Sequence, residues 1–375
     1  METQTTTSSP AWKAQAEAKL QAIIDKGKGQ AESAIQSAMV NQPEDLIIHT
    51  PAMEFGWNSG LKIGFGDEVR LSNAVSVVGA GPSQYDIHEH ALGQVCDKAG
   101  IPRKWMERLT DKGDWGEQLL VHNINEMYGH MDTSKHLIRM VQGQVRGFLS
   151  DRFRRIDTPL MVEAFASIIT KYGAVLVEGY SFDTKFNLKV VLPQIFEPVP
   201  GEFMVLGISL KNSDFGDGAF ELRLFMLRIW CKNLMVCEDG LRKVHIGSRI
   251  AQDFAISQRT YELDNKAMAS ATKDVVSQML QPAAVKGKFA LVQRAAETEV
   301  DIKSVLNAAR KRGHMNIADA KSVTDIYNTG GIEMLPPGDN AWRLSNAVSY
   351  FAQQVEPERK LDLEVLAGQI AGLHE

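Results

Sequence analysis

The sequence predicts an α+β protein: a central antiparallel sheet with packed helices, a mixed N-terminal lobe beside it and a helical C-terminal region after it. Short apolar runs alternate through the centre of the chain, as in strands. Apolar residues later recur with helical spacing between Gly and Pro breaks. These patterns divide the chain into a flexible N-terminal arm (1–45), a mixed N-terminal lobe (46–130), a central α+β domain (131–255) and a helical C-terminal region (256–375).

The arm is expected to lack a core. Residues 11–40 are rich in Ala, Gln, Lys and Glu, and Gly27 and Gly29 interrupt their weak helical pattern. Such a composition buries too little apolar surface to order a segment by itself. We therefore expect deletion of residues 1–40 to leave the melting temperature within a few degrees of its original value.

The lobe is expected to combine strands with helices. Val69–Val78 has the pattern of a strand among many glycines. His88–Leu109 has helical spacing that Ile101-Pro102 breaks, and Gly116–Tyr128 is a further helical segment.

The centre is predicted from helix-end signals and alternation. Asp157 as N-cap, Pro159 in the first turn and Gly173 at the end define one helix. Strands are expected in a pair at 136–149 and then at 174–182, 186–192, 203–210 and 220–230, the last converting to helix near Met226. The C-terminal helices are expected at 253–280, 288–294, 299–312, 316–328, 340–354 and 361–371.

Composition excludes several classes of protein. The 375 residues are 44% hydrophobic and 23% charged, which is ordinary for a globular chain. The three cysteines, Cys96, Cys231 and Cys237, are too few for a disulfide framework and indicate reduced thiols in the cytoplasm. No apolar run reaches about 18 residues, and the N-terminus lacks a basic, apolar leader, so neither a membrane span nor a secretory signal is expected. The net charge of -5 argues against coating duplex DNA by bulk charge but is compatible with a local basic groove.

No catalytic signature is present, so the sequence predicts no catalytic residue, no cofactor and no metal site. The Gly64-Phe65-Gly66 segment does not continue as a phosphate-binding loop. Asp214, Asp217 and His245 are the residues that a metal-dependent nuclease would use. The other interpretation of the two aspartates is local hydrogen bonding in a glycine-rich turn.

Arginines cluster in the central segments. Arg139–Arg155 holds five arginines against one acidic residue, and Arg223–Arg249 holds six basic residues. Arginine pairs with phosphate, and interleaved aromatic rings stack on unpaired bases. The expected nucleic-acid contacts are Arg146, Phe148, Arg152, Phe153, Arg154, Arg155, Arg228 and Lys232. The alternative is a sheet face whose arginines pair with Asp151 or Asp157.

These segments resemble the phage/plasmid-like protein family, which is catalogued as a domain of unknown function. Arg146–Asp157 (RGFLSDRFRRID) is similar to the R-A-F-L-S-D-R-Y-R-x-x-D stretch of that family. Ala91–Arg103, Arg228–Met235 and Lys243–Gly247 are similar to three further motifs, with Leu234 where the family usually has glycine. The resemblance covers roughly residues 86–280.

The resemblance implies a protein of phages, prophages or plasmids that works in the cytoplasm of the host cell. The order of elements is also similar to single-strand annealing proteins of the RecT, Redβ and Erf kind. We therefore hypothesise a DNA-metabolism protein that binds single-stranded nucleic acid without sequence preference, DNA rather than RNA, with a role in strand annealing or recombination, as a homo-oligomer away from membranes. The alternatives are a metal-dependent nuclease and a non-catalytic interaction protein that acts on a host factor.

Overall fold

The structure, a computed structural model, describes residues 10–65, 84–131, 135–230, 233–245, 257–331 and 335–374. The helices in these residues are α1 (Pro10–Val40), α2 (Glu89–Ala99), α3 (Arg103–Thr110), α4 (Asp114–Gly129), α5 (Thr158–Ile169), α6 (Gln258–Met279), α7 (Pro282–Glu297), α8 (Ile302–Lys311), α9 (Ile317–Thr329), α10 (Ala341–Ala352) and α11 (Pro357–Ile370). The strands are β1 (Glu44–His49), β2 (Met53–Trp57), β3 (Leu61–Phe65), β4 (Gln84–Ile87), β5 (Lys135–Val141), β6 (Gln144–Ser150), β7 (Val175–Ser181), β8 (Phe186–Val191), β9 (Phe196–Val199), β10 (Glu202–Asn212), β11 (Phe220–Arg228) and β12 (Asn233–Lys243). The predicted strand Val69–Val78 lies outside the described residues.

The first sheet has the strand order β1-β5-β6-β4-β3-β2. All its pairs are antiparallel except β4 with β6. Its core includes Val95 of α2, Leu120 of α4 and Ile138 of β5. The prediction that the strand pair 136–149 belongs to the central domain is wrong, because β5 pairs with β1 and β6 with β4. A domain boundary at 131 would cut this sheet.

The second sheet has the order β12-β11-β10-β8-β7, and β9 pairs with β10. Leu188, Ile208 and Leu222 share a core with Phe165 of α5 and Met268 of α6. The predicted conversion of the 220–230 strand to helix near Met226 is wrong, because β12 pairs with β11 along its whole length.

The helix α1 packs along the edge strand β7, so the prediction of a flexible arm is wrong for the described part of that segment. Leu20 and Ile23 are buried in a core with Phe225 of β11. Ala31 of α1 lies against Gly179 of β7. Small side chains allow this close approach, and a count of large apolar residues overlooks them.

The class of fold is α+β with a helical C-terminal region, as predicted. The helix α5 begins after Asp157, has Pro159 in its first turn and is followed by a short 3₁₀ turn that ends at Gly173 in the left-handed conformation. The predicted C-terminal helices correspond to α6–α11 with shifted ends. Among the helices of the described residues, none combines the length and the apolar character that crossing a bilayer requires.

Candidate nucleic-acid interface

The predicted arginine segment contributes to a buried junction between the two sheets. The Arg139 guanidinium donates to Asp45 at 2.8 Å, to Asp157 at 2.5 Å and to the backbone oxygen of Asp214 at 2.8 Å. Arg155 Nε lies 3.1 Å from the other oxygen of Asp45. Burial opposes the charge of Arg139, but the neighbouring carboxylates raise its pKa above the ordinary value. These contacts connect β1 and β5 to the start of α5 and to the turn after β10.

Two other arginines that were predicted to contact nucleic acid, Arg154 and Arg146, also lie next to acidic residues. Arg154 donates to both carboxylate oxygens of Asp264 on α6, at 2.7 and 2.5 Å. Arg146 donates to the backbone oxygen of Asp183 at 3.3 Å and lies 3.6 Å from its carboxylate. Arg152 is partly buried in the turn that follows β6. The segment therefore pairs with acidic residues, as the alternative interpretation expected, but Asp157 is the only partner that was named in advance.

Burial contradicts the stacking role predicted for the two phenylalanines. Phe148 is 0% exposed and stacks on His136 with ring centroids 4.9 Å apart. Phe153 is also buried and stacks on His245 at 4.8 Å. A ring enclosed in this way has no free face for a base. The alternation of β6 placed Phe148 on the face that packs against α2 and α4.

The prediction that Arg228 contacts phosphate is also wrong, because this side chain is buried. Its side chain is 0% exposed and donates to both oxygens of Glu202, at 2.6 and 2.8 Å. Trp342 of α10 donates to the same carboxylate at 3.3 Å. Arg228 therefore ties the second sheet to the C-terminal helices. Lys232 lies outside the described residues.

The residues named for a nuclease have protein partners. Asp214 accepts from the backbone of Thr158 at 2.9 Å, and burial raises its pKa to about 6. His245 lies 3.1 Å from Asn212 Oδ1, and burial lowers its pKa to about 4. Asp217 accepts from a threonine hydroxyl at 2.7 Å. The described residues contain no group of three or more His, Cys, Asp or Glu side chains that could hold a metal ion.

Among the described residues, Cys96 and Cys237 are buried and form no disulfide. Burial raises the pKa of the Cys96 thiol to about 11, so it is protonated and unreactive at neutral pH. Cys237 lies in the core of the second sheet. Cys231 lies outside the described residues.

A different surface, on the second sheet, carries polar residues in register. Tyr180 of β7 pairs with Asn187 of β8, and Asn187 pairs with Lys211 of β10. In the next row Glu178 pairs with Lys189. Residues directly opposite each other in a sheet point to the same face, so these five side chains share one side.

Two adjoining cavities of about 230 and 270 Å³ open on this face. The smaller is bordered by α1, and the larger extends to the β7–β8 hairpin. We call the two together the polar groove; the residues that line both are Glu178, Tyr180, Lys189, Gln353, Lys360 and Glu364.

Two aromatic rings form a stack beside the larger cavity. The Tyr180 and Phe182 rings are nearly parallel, with an angle of 6° between planes and centroids 6.0 Å apart. Phe182 is 58% exposed, so the stack offers a free aromatic face to solvent. Aromatic residues that alternate on a sheet face are a usual platform for unpaired bases.

The larger cavity is lined by four lysines and two glutamates, an excess of two positive charges. Lys185 lies 3.3 Å from Asp217. Lys211 has no ion-pair or hydrogen-bond partner among the residues that the structure describes. The groove therefore combines a stacking platform with at least one cation that is available to a phosphate.

A cluster of two lysines and two glutamates lies between the cavities. Lys189 is 3.0 Å from Glu178 and 3.6 Å from Glu364, and Lys360 is 3.9 Å from Glu364. Burial raises the pKa of Glu364, and the ammonium groups of Lys189 and Lys360 oppose that rise. Burial likewise opposes ionisation of Glu178, but Lys189 and Lys360 lower its pKa below the ordinary value.

Sequence reasoning missed the groove because it followed arginines. The segment 178–189 reads EGYSFDTKFNLK, in which polar or aromatic side chains alternate along two predicted strands. That alternation was a usable signal for a polar sheet face. Nothing in the segment indicates that α11 brings Lys360 and Glu364 to the same place.

Comparisons with models of protein families, with curated proteins and with solved structures find no match for this chain. The resemblance to the phage/plasmid-like family therefore stays a prediction.

Proposed function

We propose that this protein binds single-stranded nucleic acid through the polar groove. The observation that carries the proposal is the Tyr180–Phe182 stack with an exposed face, beside a cavity with excess positive charge. Base–aromatic stacking tolerates any sequence, because every base has a π-face. Lysine side chains neutralise phosphates without reading bases.

The groove replaces the arginine segment as the proposed interface. Arg154, Arg155 and Arg228 are paired with buried or partly buried acidic residues, and a phosphate would have to displace those partners. Arg146 differs from them, because it lines a small cavity that Phe182 also lines. A strand that stacks on Phe182 would therefore pass close to Arg146.

DNA as the strand, a role in annealing or recombination, homo-oligomer formation and a place in the host cytoplasm are part of the same proposal. They are supported by the resemblance of the sequence to the phage/plasmid-like family and by the similarity of its predicted element order to that of annealing proteins. An antiparallel sheet with a stacking platform is compatible with either DNA or RNA, so both strands belong in the test.

The test is fluorescence anisotropy with labelled single-stranded DNA, single-stranded RNA and double-stranded DNA oligonucleotides over a range of salt concentrations. We expect Phe182→Ala to weaken single-strand binding by about five- to 150-fold, which corresponds to about 1–3 kcal/mol for one stacked base. We expect Lys211→Ala to reduce the salt slope by about 0.7, the value for one phosphate contact on a single strand.

Matched controls separate the groove from general effects. Tyr172→Ala removes another exposed aromatic ring, and Lys104→Ala removes an exposed lysine of α3. Neither should change the affinity. Equal losses in the Phe182 and Tyr172 variants would refute the groove, and absence of binding by the parent would refute the function. Magnesium-dependent cleavage of the oligonucleotides would favour the nuclease.

A second candidate is the interaction protein, which one observation favours. Trp115 and Leu119 lie one turn apart on α4 and are exposed, as is Met127 on the same helix. Neighbouring exposed apolar side chains such as Trp115 and Leu119 are typical of a protein-binding surface. Replacing Trp115 and Leu119 by Ser would then abolish binding to a host protein and leave oligonucleotide binding unchanged.

A further inference from the structure

The carboxylate of Glu364 is an unusual feature of the polar groove. The residue is 0% exposed, and within the described part of the chain neither of its oxygens has a hydrogen-bond partner. The nearest cationic atoms, on Lys189 and Lys360, are 3.6 and 3.9 Å away, beyond hydrogen-bond distance. Lys189 and Lys360 balance the charge of the carboxylate, but buried polar atoms are nearly always hydrogen-bonded, so its oxygens are open to donors from a bound molecule.

The residues around Glu364 restrict the kind of molecule that can supply donors to its carboxylate. Glu364 and Tyr180 line the same two cavities, so a planar group bound in the groove can contact both the aromatic ring and the carboxylate. Lys360, one helical turn before Glu364, also lines both cavities and can donate to an acceptor on that edge. The larger cavity, about 270 Å³, is near the lower limit for a small-molecule pocket and suits one flat ring system.

The four bases differ in the donors and acceptors on their hydrogen-bonding edges, and a carboxylate beside an ammonium group can distinguish them. Guanine presents an acceptor, O6, beside two adjacent donors, N1–H and N2–H. A carboxylate can accept both donors at once, and an ammonium can donate to O6. Adenine and cytosine present one amino group beside an acceptor, and thymine presents one N–H between two carbonyls.

We infer that the polar groove holds one guanine base of the bound strand, stacked on Tyr180, with Glu364 accepting from N1–H and N2–H and Lys360 donating to O6. This inference rests on the proposed function. Stacking and phosphate contacts bind a strand of any sequence, and the guanine position adds a preference at one nucleotide. Single-stranded nucleic acids are commonly read in this way, through the Watson–Crick edges of splayed bases.

The test uses the full chain and thymidine oligonucleotides of about 15 nucleotides, near the upper end of the site sizes of single-strand-binding domains. One central thymine is replaced by guanine, adenine, cytosine or hypoxanthine, which is guanine without the N2 amino group. We expect guanine to bind roughly tenfold or more tightly than adenine, cytosine or thymine. Hypoxanthine should lose most of that advantage, because it lacks one donor to Glu364.

In the variant Glu364→Gln, the ratio between the affinity for the guanine-containing strand and the affinity for the all-thymidine strand should fall to about one. Asp362→Asn, an exposed position on the same helix, is the matched control and should keep the preference. The hypoxanthine comparison uses the unaltered protein, so it decides the question even if Glu364→Gln fails to fold.

Equal affinity for all the oligonucleotides would overturn the guanine site and leave strand binding standing. Failure of every oligonucleotide, including the all-thymidine strand, would overturn the proposed function itself. A guanine preference that hypoxanthine retains in full would also refute the role of Glu364, because the N2 donor would then have no acceptor.

Discussion

The packing of α1 on β7 can be tested by substituting two glycines of α1, one that faces the strand and one that does not. A Cβ atom at Gly27 would lie 1.7 Å from the backbone oxygen of Val177 in β7, whereas a Cβ atom at Gly29 would meet nothing within 4 Å. Both positions lie inside α1, so Gly→Ala at either one gains about 1 kcal/mol of helix propensity. Only the Gly27 substitution must also displace the helix from the strand.

The magnitude follows from that distance. Ordinary van der Waals contact begins at 3.4 Å, so α1 must retreat by about 1.7 Å, and the obstacle is a backbone atom that cannot rotate away. Overpacking of this kind costs about 1–3 kcal/mol. We take the upper end because the backbone has no alternative rotamer, and after the gain in propensity expect Gly27→Ala to lower the free energy of unfolding by about 2 kcal/mol. Gly29→Ala should raise it by about 1 kcal/mol.

Urea denaturation followed by circular dichroism measures both variants, and hydrogen exchange of the α1 amides localises the effect. Protection of α1 should fall in Gly27→Ala and rise in Gly29→Ala. If both variants are stabilised by the same amount, α1 does not pack on β7 and the arm is mobile, as the sequence alone suggested. The arrangement of the smaller cavity, which Gly27 lines, would then also be wrong.

Three further predictions concern Arg228, His245 and the pair formed by Arg152 and Arg154. Arg228→Ala should lower the free energy of unfolding by about 3–5 kcal/mol in a urea titration, because it leaves Glu202 buried without its cation. The pKa of His245 is lowered to about 4 by burial, so the stability that the neutral ring contributes is present above the unfolded pKa of 6.5 and is lost as the pH falls toward 4. His245→Gln should flatten that part of the pH–stability curve, and an unchanged slope would show that the ring titrates freely. The double substitution of Arg152 and Arg154 by Ala should leave the salt slope of oligonucleotide binding at the parent value. A reduction larger than about 0.7, the value for one phosphate contact, would indicate that the arginine segment is the interface after all.

Local sequence signals predicted most of the helices. Pro159 and Gly173 bracket the helix that follows the first sheet, and Asn316 forms a capping box at the start of α9. Asn340 likewise caps α10 by accepting from a backbone amide. Such signals act within one turn of the chain, so they can be recognised without knowing the rest of the fold.

The pairing of strands could not be predicted in this way. The alternation in 136–149 indicates a strand pair but does not say which strands flank it, and β5 and β6 joined the sheet of the N-terminal lobe. The prediction for α1 failed for a related reason, because Ala31 contributes to a core only when Gly179 is opposite it. Both depend on contacts between segments that are far apart in the chain.

The sequence by itself determined the α+β class, most of the helices and the alternating pattern of the second sheet, because propensity, capping and periodicity act over a few residues. Only the tertiary structure decided which charges face solvent. Arg139 is buried because Asp45, 94 residues away, lies next to it, whereas Lys211 of the second sheet lines an open cavity. The cost of burying a charge depends on the partner that folding brings to it, and a local pattern of residues does not contain that information.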